Sequence, residues 1–135
     1  MTAAGRPLVL LVEDSEPIRA AFTILLEESG YEVCGAGTGA AAVRLALARP
    51  PDLVLLDLGL PDCSGRSVAG ALRSAPSTAT VPIVALTGRD DDVERAALLA
   101  AGCAAYLVKP VDTQALLRAL PGYIARETAS PVADT

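Results

Sequence analysis

The chain has 135 residues, 52% of them hydrophobic, 20% charged and only 3% aromatic, the balance of one ordinary globular domain with an aliphatic core. A net charge of −5 and the lack of a basic cluster argue against a nucleic-acid footprint, and no apolar run is long enough to span a bilayer. There is no histidine, so zinc sites and His-based triads are excluded or nearly so, and the odd number and wide spacing of Cys34, Cys63 and Cys103 disfavour a disulfide framework.

Reduced thiols fit that cysteine pattern. The N-terminus lacks the form of a signal peptide, which makes the cytoplasm the expected compartment.

Leu8 to Val12 is a purely apolar run followed by Glu13-Asp14, read as a buried first strand ending in an acidic pair. Ser15-Glu16-Pro17 opens a helix, with Pro17 suited to the first helical position, where a missing N–H costs nothing. Ile18, Ala21, Phe22, Leu25 and Leu26 recur at helical spacing as its buried stripe, and Gly30 ends it. Tyr31 to Ala36 predicts a short, more exposed strand. Gly35, Gly37 and Gly39 after it lack the lysine of a phosphate-binding P-loop, and a turn is the better reading. Ala40 to Ala48 predicts a second helix, stopped by Pro50-Pro51.

The run Leu53 to Leu56 then meets Asp57, with turn residues Gly59, Pro61, Asp62 and Gly65 immediately after. Such a strand suits the middle of a parallel sheet, and its carboxyl end is where open α/β sheets place ligands. Taken alone, the plainer and less favoured reading of Asp57 is an acid that caps the next helix or solvates a loop. A third helix is expected from about Ser64 to Ser74, and a fourth strand from Val81 to Thr87 with Pro82 at its start. Asp90, Asp91 and Asp92 are placed to cap a fourth helix, Val93 to Ala101. Ala105 to Val108 predicts the fifth strand, followed by Lys109-Pro110. Asp112 or Thr113 caps a last helix carrying Leu116, Leu117 and Leu120. Pro121-Gly122 should end or kink that helix early, and residues 128–135 read as a disordered tail after a domain of residues 1–127.

Five strands alternating with five helices predict an α/β fold, a parallel sheet covered on both faces through right-handed crossovers. The carboxyl ends of parallel strands gather on one edge. The polar residues there are Glu13, Asp14, Asp57, Thr87 and Lys109. Each has an ordinary explanation by itself: a cap, a β-branched strand residue, a surface charge. Their convergence on one edge does not. Carboxylates held about 4 Å apart repel by roughly 4 kcal/mol at an effective dielectric near 20, and a hard divalent cation such as Mg2+ is the natural compensation. Lysine and threonine can engage phosphoryl oxygens. The set fits phosphoryl transfer.

Glu13-Asp14, the stretch from Asp57 to Gly65, Thr87-Gly88 and Tyr106-Leu107-Val108-Lys109-Pro110 together resemble the receiver domain of bacterial two-component response regulators, over about Pro7 to Ala125. The resemblance implies a flavodoxin-like three-layer sandwich with strand order 2-1-3-4-5. It implies that Asp57 accepts a phosphoryl group from a phosphohistidine on a sensor histidine kinase or phosphotransfer protein. Asp14, Asp57 and the Gly59 carbonyl would hold Mg2+, with Glu13 acting through water. Lys109 and Thr87 would bind the phosphoryl group, and backbone N–H groups near Gly59 and Gly88 would complete the cradle. Tyr106 would be the switch aromatic, against the plainer reading of a tyrosine at the sheet edge. The Lys109–Pro110 bond would be cis.

Gly59 stands where the family often carries a side chain over the phosphorylation site, and Arg89 is placed to cover part of it. The Pro121-Gly122 break counts against dimerisation through the fourth and fifth helices, leaving a monomer or a weak phosphorylation-dependent dimer. Phosphorylation would change the face formed by helix four, strand five and helix five, acting on a downstream protein or relaying phosphate onward. Alternatives are a degenerate receiver serving as a constitutive binding module and a small flavodoxin-like enzyme. The intact acids oppose the first, and the missing cofactor motifs oppose the second.

Overall fold

In the computed structural model, which describes residues 5–133 and side chains as far as residue 124, every strand of the sheet is parallel. The elements run β1 (Leu8–Val12), α1 (Glu16–Glu28), β2 (Glu32–Ala36), α2 (Gly39–Ala48), β3 (Leu53–Asp57), α3 (Gly65–Ser74), β4 (Ile83–Thr87), α4 (Asp92–Ala100), β5 (Ala105–Val108) and α5 (Thr113–Ala133). The sheet order is β2-β1-β3-β4-β5, so the winding reverses between β1 and β3, the crevice where such sheets bind ligands.

The three central strands are buried along their whole length, and alternation of side chains sorts them into two cores. Leu10, Val12, Val54, Leu56, Ile83 and Ala85 pack with Ala42 and Ala46 of α2, Val68, Ala69 and Leu72 of α3 and Leu98 of α4. Val9, Leu11, Leu53, Leu55 and Val84 face Leu26 of α1 and Leu116 and Leu120 of α5. This is the expected three-layer sandwich.

Side chains start the helices. Ser15, Thr38, Ser64 and Asp91 accept from the N–H groups of Ile18, Ala41, Ser67 and Glu94, and Asp112 accepts from Ala115 N at 3.1 Å, each satisfying a donor the helix cannot. Gly30, at φ +98° just past α1, takes the left-handed conformation that closes a helix most cheaply with glycine. Cys34, Cys63 and Cys103 are free thiols, and no helix among the described residues is long and apolar enough to cross a membrane.

Three local expectations are corrected. In α1 the helix begins at Glu16, with Pro17 at its second position. Its stripe is narrower than its spacing predicts: Leu26 is buried, Phe22 and Leu25 are half-buried, and Ile18 and Ala21 are exposed. Ile18 lies instead on the wall of an open cleft that it shares with Phe22, Leu86, Pro110 and Val111. Finally, α5 continues through Pro121-Gly122 to Ala133, where an early stop was expected; residues 134 and 135 lie outside the described residues. Pro121 removes one backbone donor, but Leu116 and Leu120 before it are buried and Tyr123 and Ile124 after it pack on the same core. Burial outweighs propensity here.

Candidate functional site

Each charged residue of the site owes its place to the strand before it. Val12 pairs with Leu56 and Leu56 with Ala85, so Glu13 and Asp57 emerge side by side as the central strands end. Glu13, Asp14 and Asp57 each offer a carboxylate oxygen within 4.8 Å of the others. Lys109, which follows β5, reaches across to Asp57, with Nζ 2.7 Å from Oδ1. The Gly59 N–H donates to the same oxygen at 3.2 Å. Asp57 is nearly inaccessible, its side chain 5% exposed, whereas Asp14 is exposed. The sequence-derived acids and lysine therefore converge, and Lys109–Pro110 is cis.

One lysine faces three carboxylates. Burial above all lifts the Glu13 carboxyl above its ordinary value, the Asp57 charge and hydrogen bonding with Asp14 and Asp57 push the same way, and the Ser15 N–H opposes them. A donor set made only of oxygens and carrying surplus negative charge fits a hard divalent cation such as magnesium. The Asp14 and Asp57 carboxylates would hold it, with Glu13 behind them.

Thr87 ends β4 and is buried, but its hydroxyl is directed to a residue that sequence reasoning missed. It donates to Glu94 Oε2 at 3.1 Å and accepts from Arg89 N at 3.0 Å. Glu94 is itself buried. The Asp91-x-x-Glu94 spacing is a recognisable helix-start signature, and it is the signal that could have drawn attention to this glutamate. Arg89 pairs with Asp91, at 3.0 Å between Nη2 and Oδ2, and with Glu94 and Leu58 lines a small cavity of about 100 Å³. At Gly88 a side chain would meet open space, while at Gly59 a Cβ would sit 3.9 Å from Asp57 Oδ1.

Tyr106 lies half-exposed on β5. Its hydroxyl accepts from Arg95 Nε at 2.6 Å, and the Arg95 guanidinium lies 5.5 Å from the ring centroid, a cation–π distance. A second residue not anticipated is Asp62, whose two carboxylate oxygens accept from Gly39 N and Ala40 N at 2.8 and 3.0 Å. The loop that follows β3 is thereby tied to the start of α2. Gly39 permits the approach: a Cβ there would collide with Cys63 Sγ.

Comparison with known proteins agrees with this geometry. The chain matches the response regulator receiver domain over residues 9–121. It is 41% identical over 133 residues to the transcriptional regulatory protein KdpE of Mycobacterium tuberculosis, covering 95% of this chain and 58% of that protein, so it spans little more than half of that relative's length. Among solved structures it is similar to chemotaxis protein CheY4 of Vibrio cholerae, with a TM-score of 0.84 at 29% identity, covering 88% of this chain and 99% of that one. It is also similar to the receiver domain of sensor histidine kinase PA1611 from Pseudomonas aeruginosa, which has magnesium coordinated in its active-site cleft. There the TM-score is 0.82 at 33% identity, covering 90% and 99% of the two chains. With the sheet order, the acid cluster and the strand-end lysine all in place, this chain belongs to the response regulator receiver domain family.

Proposed function

We propose that the chain is a phosphorylation-dependent switch in which Asp57 takes a phosphoryl group from a phosphohistidine of a sensor histidine kinase or phosphotransfer protein. The observation that carries this is the Asp57 carboxylate itself, buried, gripped by Lys109 at 2.7 Å and flanked by two further acids. An Asp57 carboxylate oxygen forms the new P–O bond as the P–N bond to imidazole breaks, and the leaving imidazole keeps the electron pair. Hydrolysis later breaks the acyl phosphate and returns the carboxylate with inorganic phosphate.

Magnesium, held by Asp14, Asp57 and the Gly59 carbonyl with Glu13 behind them, would neutralise charge on the phosphoryl oxygens. Lys109 moves from the free carboxylate to a phosphoryl oxygen. Thr87 exchanges its Glu94 partner for another, and the Gly59 N–H, already on Asp57, and the Gly88 N–H would complete the cradle. Tyr106, now held by Arg95, is the surface reporter of that exchange, and the face of α4, β5 and α5 changes its preference for a protein partner. We place the protein in the cytoplasm, as a monomer or weak phosphorylation-dependent dimer, with the domain ending near residue 127. The continuous α5 removes the shortened-helix argument against a dimer.

The test is intact-protein mass after incubation with acetyl phosphate and magnesium, beside Asp57→Asn. Gain of one phosphoryl group in the wild type alone supports the reading. A folded wild type that binds magnesium and gains nothing favours a constitutive binding module, and one that binds none overturns the mechanism.

A further inference from the structure

Gly35 and Gly37 take no part in the phosphoryl chemistry, yet both face the same side chain. A Cβ on Gly35 would lie 3.2 Å from Arg19 Cδ, and one on Gly37 would lie 3.3 Å from Arg19 Nη1. The arginine leaves α1, lies along the end of β2 over these two glycines and donates from Nη1 to the Glu13 carbonyl at 2.7 Å. That is the length of a strong, charge-assisted bond. The Glu13 N–H in turn donates to Ala36 O, between the two glycines, at 2.9 Å.

The Glu13 carbonyl and the Asp14 nitrogen share one planar peptide unit. Whatever holds that carbonyl sets the direction in which the chain enters Asp14, just as it bends away from β1 toward the Ser15 cap. Asp14 is exposed, so little packing holds its side chain, and besides its interaction with Glu13 the direction of its backbone governs how its carboxylate meets those of Glu13 and Asp57.

We propose that Arg19 is a positioning residue for the acid cluster: lying in the space left by Gly35 and Gly37, it clamps the Glu13–Asp14 peptide so that Asp14 is directed at the cation. The inference rests on the magnesium-dependent reading above. Arg19 touches neither the phosphoryl group nor the metal, and its effect passes through the Glu13 backbone. Charge alone predicts the opposite sign, because removing a cation near the site would favour a divalent ion.

The test compares magnesium binding by titration calorimetry, and the magnesium concentration giving half-maximal phosphorylation by acetyl phosphate, in the wild type, Arg19→Met, Arg19→Lys and Gly35→Val. The valine suits a strand and keeps the arginine, but takes its space. Both Arg19→Met and Gly35→Val are expected to bind magnesium about tenfold more weakly, the cost typical of losing a residue that orients a ligand. Arg19→Lys, which keeps one donor for the carbonyl, recovers part of the loss. Phosphorylation at saturating magnesium stays within about twofold of wild type, because the reacting groups are intact. A merely structural arginine would lower the unfolding midpoint and leave the folded protein's magnesium affinity alone. Unchanged or tighter binding in either folded variant overturns the proposal, and Gly35→Val decides it if Arg19→Met does not fold. A wild type that binds no magnesium overturns the functional reading beneath it, and the two failures are thereby distinguished.

Discussion

The Thr87 hydroxyl donates to the Glu94 carboxylate at 3.1 Å, and both residues are buried. The strand-end threonine that would recognise a phosphoryl group is thus held by the first turn of α4. Buried polar groups are costly to leave unmatched, by about 1–3 kcal/mol for a lost partner. Glu94→Ala should therefore lower stability to urea by about that amount. Glu94→Gln, which still offers an oxygen to Thr87, should cost less. Equal losses in the two variants would show that the hydrogen bond contributes nothing.

Among the described residues, Lys109 is the cation held 2.7 Å from Asp57, and in the proposed mechanism its ammonium would stabilise charge on the transferring phosphoryl group. Lys109→Met should slow phosphorylation by acetyl phosphate at saturating magnesium by roughly a hundredfold, the scale for removing one preorganised donor. Mass spectrometry over time gives the rate. A loss of less than about fivefold, near 1 kcal/mol of barrier, would assign the lysine to folding alone.

A side chain at position 59 would begin 3.9 Å from Asp57 Oδ1, in ordinary contact with the carboxylate that the proposed mechanism phosphorylates. Gly59→Asn is expected to lengthen the phosphorylated lifetime about fivefold by obstructing the attacking water, equivalent to roughly 1 kcal/mol of barrier. Arg89 is turned toward Asp91, and Arg89→Ala should leave that lifetime nearly unchanged. Following decay of the phosphorylated mass in both variants checks the pair, and a long-lived Arg89→Ala adduct would contradict the geometry.

Asp62 accepts hydrogen bonds from Gly39 N and Ala40 N, which chiefly hold its carboxyl below the ordinary value near 3.8. A carboxylate depressed in the folded state stabilises the protein fully above its unfolded pKa, and that stability is lost as pH falls through the lower folded value. The stability difference between wild type and Asp62→Asn should accordingly be constant near neutrality and shrink as pH drops below about 4, toward the folded value. Urea unfolding across that acid range reads it. A difference that grows on acidification would refute the cap.

The boundaries of β1, β3 and β5 follow from short apolar runs ending in polar or turn residues, and the burial that such runs demand made the parallel sheet legible. The acids and the lysine were legible for the same reason: a charge directly after a buried strand must emerge at the sheet's edge. These are local signals, carried by residues within a few positions of one another. The tertiary structure alone decided which distant groups meet. Thr87 with Glu94, Asp62 with the start of α2, and Arg19 across Gly35 and Gly37 all depend on how helices cross the sheet, which no short window of sequence encodes. It also decided α5, where Pro121 signals a stop but the buried leucines before it and the packed Tyr123 and Ile124 after it hold the helix against the sheet.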